Sequence, residues 1–146
     1  MKTIAAAFAA TALMLSAAAA DEPDLIGTWT AESGVMRTTS GEMLTLGETS
    51  TIEFVVTEQD GPVFSGVYLW VHPETMQDMN DGSQVTHRAE EQFVGVVHFD
   101  GKTITFADHP DTSIYSGQLI EADRMELISV EAGPHAFVGR IRLVRQ

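Results

Sequence analysis

The 146 residues include no cysteine, 21 acidic and 8 basic side chains, for a formal net charge of -13. Disulfide, thiolate–metal and thiol-nucleophile chemistry are thereby excluded, and so negative a balance argues against nucleic acid or an anionic membrane surface as partner. The length is that of one domain able to bury a core without staples.

Residues 1–20 read as a removable export signal. Lys2 supplies a short positive start, Ile4 to Leu15 is apolar apart from Thr11, and Ala18-Ala19-Ala20 satisfies the small-x-small rule for cleavage before Asp21. The run has no polar face at helical spacing, which argues against a helix of the folded domain. No cysteine follows it to carry a lipid. The expected location is periplasmic or secreted, with residues 21–146 as a single domain. Outside this segment no apolar run reaches about 18 residues, so no membrane-spanning helix is expected.

Residues 25–33, 49–58, 63–72, 90–99, 102–107, 113–121, 125–131 and 136–144 carry Val, Ile, Thr, Phe and Tyr between Gly, Asp and Pro boundaries. Eight short strands, mostly joined by tight turns, predict an all-β fold. The expected architecture is an eight-stranded antiparallel meander closed as an up-and-down β-barrel, because closure hides the sheet edges. Residues 34–48 read as a long connection holding a ninth short strand at Met43–Leu46. The polar stretch 73–88 reads as a loop.

Register follows at two hairpins. A two-residue turn at Asp100-Gly101 pairs Val97 with Ile104, placing Phe93, Gly95, Val97, Ile104 and Phe106 on one face and His98 with Thr103 on the other. At Asp60-Gly61 the same turn would need an N–H from Pro62, which has none. A three-residue loop, Gln59-Asp60-Gly61, is therefore expected, with Thr57 opposite Val63. It sets Ile52, Phe54 and Val56 on the inner face with Phe64, Gly66, Tyr68, Trp70 and His72.

The segment Leu25-Ile26-Gly27-Thr28-Trp29-Thr30 resembles the opening of calycin barrels, the group of lipocalins and avidins, whose signature is Gly-x-Trp with a cation from the last strand over the indole. Gly27, Trp29 and Arg145 are the matching cap residues; Arg145 shares alternation with Phe137, Ile141 and Leu143. Phe64-Ser65-Gly66-Val67-Tyr68, Tyr115-Ser116-Gly117-Gln118 and Val138-Gly139 through Arg145 are avidin-like in the family's order. The resemblance implies a pocket for a small molecule, with Tyr68 and Tyr115 at pocket positions. The family's pocket Asn and Ser appear here as Ala31 and Val35, and its Met-Trp-Leu-Leu segment is missing. Biotin's polar ring would meet unpaired groups. The resemblance therefore implies fold and pocket placement, not biotin.

No chemistry of catalysis or metal binding stands out. His72, His87, His98, His109 and His135 form no ligand spacing, and Glu90, Glu91 and Asp108 would need the fold to assemble them. Asp78-Met79-Asn80-Asp81-Gly82 places its Gly at the wrong position for a calcium loop, with Ala89 where Glu should stand. Met76 and Met79 with His72 and His87 are the weak case for copper. No Gly-x-Ser-x-Gly elbow is present. The expected protein is thus a non-enzymatic barrel, without cofactor or metal, binding a small apolar or amphipathic ligand at Tyr68, Trp70 and Tyr115. The alternative is a periplasmic protein-binding module, an inhibitor or envelope accessory, acting through its loops. An open cavity beside the three aromatics favours the first, a sealed interior the second. Val94 and Val96, alternating with Phe93 and Val97, make one strand apolar on both faces. That pattern points to cover by residues 73–88 or by another subunit, as in a homo-oligomer.

Overall fold

A computed structural model describes residues 22–47, 51–71, 76–77, 84–85, 88–110, 112–133 and 136–146. The export signal at 1–20, most of the 73–88 loop with its calcium-like and methionine segments, and His72, His87 and His135 lie outside the described residues. The strands are β1 (Gly27–Thr38), β2 (Met43–Leu46), β3 (Thr51–Asp60), β4 (Val63–Val71), β5 (Met76–Gln77), β6 (Gln84–Val85), β7 (Arg88–Val97), β8 (Thr103–His109), β9 (Ile114–Glu121), β10 (Arg124–Glu131) and β11 (Phe137–Arg145). No helix occurs among the described residues. The sheet order β11-β10-β9-β8-β7-β4-β3-β1 closes because β1 also pairs with β11. The result is an eight-stranded antiparallel barrel with β2 added on β1 beyond the end of β3. A separate two-stranded ladder pairs β5 with β6.

Alternation dictates what the barrel buries. Phe93, Val97, Ile104, Phe106, Tyr115, Met125, Leu127, Ile141 and Leu143 recur at even spacing along their strands and point inward. At the centre Phe54 stacks on Tyr68 at 5.0 Å and meets Phe106 and Tyr115 edge-on at 5.1 Å, while Phe106 stacks on Tyr115 at 4.8 Å. Each such pair adds roughly 0.5–1.5 kcal/mol beyond area burial. Gly95 makes room for this cluster: a Cβ there would lie 2.4 Å from the Phe64 ring.

The Asp100-Gly101 hairpin has the expected register, with Val97 opposite Ile104 and His98 N–H donating to the Thr103 carbonyl at 2.8 Å. The other hairpin requires a correction. Asp60 pairs with Val63 around a two-residue loop, Gly61-Pro62, and Gly61 sits at φ 56°. Proline is tolerated because the second loop position donates no closing bond. A bulge at Thr57, between the Val56 and Glu58 pairings, then restores the inward phase of Ile52, Phe54 and Val56 opposite Trp70, Tyr68 and Gly66. The inner face is as expected, but for a different reason.

Residues 34–48 are not one long connection. β1 runs on to Thr38, with a bulge between Ala31 and Ser33 that moves the inward set from Trp29 and Ala31 to Gly34 and Met36. Gly34 is there for close approach, not for a turn: a Cβ would stand 2.8 Å from the Arg140 carbonyl oxygen.

Candidate binding site at the barrel mouth

The two ends of the barrel are built differently. At the end where β1 begins and β11 ends, the Trp29 indole is fully buried and donates to the Leu25 carbonyl at 2.9 Å. The Arg145 guanidinium lies 4.7 Å from the ring centroid and donates to the Asp24 carbonyl. Gly27 sits at φ 132° beside the Arg145 stem. The Gln59 amide clasps the entering chain, accepting from Leu25 N–H at 2.8 Å and donating to the Pro23 carbonyl at 2.9 Å. The void left among Leu25, Trp29, Phe54, Phe64 and Met125 is about 10 Å³, near the lower limit for one water. This end is sealed.

The opposite end buries polar groups. Asp108, inward from β8, accepts from Ser113 N–H at 2.9 Å through Oδ1 and from the Tyr115 hydroxyl at 3.3 Å through Oδ2. The Ser113 hydroxyl continues to Glu131 Oε2 at 3.2 Å. Burial, with Tyr68 and Asp108 alongside, pushes the Tyr115 hydroxyl far above the usual tyrosine range. Tyr68 lies 6.1 Å from Tyr115 by ring centroids and pairs in register with Glu91. Nearer the rim, Trp70, Leu44 and Phe137 are only partly buried on the core. Two donors at this end, Trp70 Nε1 and the Ser129 hydroxyl, are buried with no hydrogen-bond partner among the described residues.

Of the three aromatics expected to line a pocket, the fold brings Tyr68 and Tyr115 together, but as packing. They are 4% and 2% exposed and fill the barrel centre, so no open chamber separates them. Trp70, one pleat further out, reaches the rim. Asp108, Ser113 and Glu131 were not singled out as binding residues by the sequence, although the signal was there: 104, 106 and 108 share one parity, and an acid in an inward row is anomalous. Among the described residues no cluster of His, Asp and Glu suits a metal ion.

No family model matches the chain. Nor does any curated protein. Solved structures do. The chain is similar to a barrel named EF1p2_mFAP2b, bound to DFHBI, with 12% identity over 84% of this chain and 94% of that one and a TM-score of 0.54. A de novo designed fluorescence-activating β-barrel aligns with 12% identity over 87% of this chain and 99% of that one, at a TM-score of 0.48. Identities this low show the barrel fold alone.

Proposed function

We propose that the protein is an exported, non-enzymatic, calycin-like barrel that holds a small amphipathic molecule at its mouth. One observation carries this reading: the Trp70 N–H, buried at the rim, has no acceptor among the described residues. A buried unsatisfied donor costs roughly 1–3 kcal/mol, which a ligand carbonyl or carboxylate would relieve while its apolar part rests on the rim. The filled centre sets the depth of the site, above the Tyr68–Tyr115 pair. The kinship is supported by Gly27, Trp29 and Arg145 standing as a calycin cap would, and export by Lys2, the apolar run and Ala18-x-Ala20.

Native mass spectrometry of protein purified from its own host tests the ligand and the export together. The expected species starts at Asp21 and carries a small-molecule adduct that Trp70→Phe loses. Bare protein whose Trp70 emission ignores a panel of apolar carbonyl compounds would remove the mouth site.

A protein-binding module is the second reading, favoured by the filled interior, where no open cavity stands beside Tyr68 and Tyr115, and by one feature of the outside. The outward ladder Val94–Ala107–Ile114–Val130–Val138–Arg37–Met43 runs in register across seven strands, and six of its seven members are apolar. Val94 is 65% and Val138 58% exposed. The next outward row, Val35, Arg140, Ile128, Ser116 and Thr105, mixes apolar and polar residues, and Ser33, Arg142, Glu126 and Gln118 beyond it are polar. A protein co-purifying from the host that is lost on Val138→Glu, with Trp70→Phe silent, would favour this reading.

A further inference from the structure

A groove of about 780 Å³ lies outside the barrel, across β9, β10, β11 and β1, and open to solvent. Ligand pockets commonly span about 300–1,000 Å³. Its walls include Val35, Ile120 and Ile128, all exposed apolar side chains. Arg140 stands between two of them, paired in register with Ile128 on one side and Val35 on the other.

The charges around it are matched unevenly. Arg142 is bonded to Glu126 through both Nε and a terminal nitrogen. Arg124 lies 3.9 Å from Glu32 and from Glu121. Arg140 has no ion pair among the described residues, so the groove offers one unspent guanidinium on an apolar bed. A neutral apolar ligand would mask that cation from water with no return, and a cationic one would be repelled. A carboxylate matches the guanidinium fork in two parallel hydrogen bonds. The net charge of -13 does not forbid an anion here, because exposed charges are screened beyond about 8 Å at physiological salt. Five of the chain's eight basic residues, Arg37, Arg124, Arg140, Arg142 and Arg145, also lie on these strands.

We infer that this groove binds an alkyl carboxylate, the chain on Val35, Ile120 and Ile128 and the head on Arg140. The site is separate from the barrel mouth and does not depend on it.

Calorimetric titration of the full protein, stripped of lipid, with dodecanoate below its micellar concentration tests the assignment. Saturable one-to-one binding is expected, weakened about tenfold or more by Arg140→Gln, the scale of one charge-assisted contact. Dodecyltrimethylammonium, with the same chain and the opposite head, should not bind. Amide NMR shifts should map to Val35, Ile128 and Arg140 and leave the Trp70 indole unmoved. Arg140→Gln with wild-type affinity and unchanged thermal midpoint would overturn the proposal. So would equal binding of both head groups. Shifts confined to the Trp70 indole would overturn it too, while supporting the mouth site; a still indole with groove shifts would support the groove and leave the mouth to its own test.

Discussion

Two aspartates at opposite ends of β8 show how differently the barrel's ends are made. Asp100, in the turn at the sealed end, is bound by its own neighbours: Thr103 hydroxyl, Thr103 N–H and Lys102 N–H. It stays in water, and those bonds hold its carboxyl at about 2, below the ordinary 3.8. Asp108, at the mouth, is buried and held by a tyrosine that reaches it from β9. Local chemistry holds Asp100, tertiary assembly Asp108. The sealed end is closed by packing; the mouth keeps buried polar groups, whose desolvation costs stability.

The comparison breaks first at the cap. Trp29→Ala removes a fully buried indole and should lower stability by about 3–5 kcal/mol; an unchanged denaturation midpoint would mean that this end is not sealed by packing. At the mouth, Tyr115→Phe should cost about 1–3 kcal/mol, because Asp108 loses the Tyr115 hydroxyl as one of its donors while the aromatic volume is kept. Equilibrium denaturation of the two variants side by side ranks the ends, and a larger loss for Tyr115→Phe would invert the argument.

Alkaline titration sharpens the contrast. The folded Tyr115 hydroxyl keeps its proton beyond the unfolded value of 10.0, so folded stability is fully present below that pH and falls as pH rises above it. Of the chain's two tyrosines, this one should withhold its phenolate absorbance until the fold is lost. Ordinary ionisation of both near pH 10, with near-ultraviolet dichroism intact, would contradict the buried network. The smallest effect is expected at Asp100. Whatever its ionised form contributes is present above about 3.8 and lost as pH falls through about 2. Carboxyl-carbon NMR should place the midpoint near the lower value; a midpoint near the upper one would mean that the Thr103 bonds do not form.

The Asp100 turn and the inner rows were legible in the sequence because their determinants are close together in the chain. Asp100-Gly101 specifies its own turn, period-two alternation specifies the inner rows, and Met43–Leu46 emerged as a strand with the bounds expected. What could not be read depends on partners. The bulges at Thr57 and at Glu32 exist to keep two strands in phase with neighbours, so nothing local announces them. Gly34 looked like a breaker because its constraint, the Arg140 carbonyl, is supplied by another strand. The mouth was hidden for the same reason. The 102–107 strand was ended one residue before Asp108, whose role becomes visible only when Ser113 and Tyr115 are brought against it. The Arg140 groove, spread over β9, β10, β11 and β1, had no contiguous signature at all.

The seam between β1 and β11 governs how the molecule can be made. Trp29 pairs with Arg145, and the Gln146 amide donates to the Thr28 carbonyl at 3.0 Å. The first strand must therefore wait for β11 to be synthesised before its second edge is covered. Contacts so distant in sequence form slowly, because chain closure precedes their reward. During that interval β1 presents an open, partly apolar edge to other nascent chains. Deletion of β11 would leave that edge bare along Trp29–Thr38, so such a variant should reveal itself as aggregation during synthesis before any loss of binding could be measured.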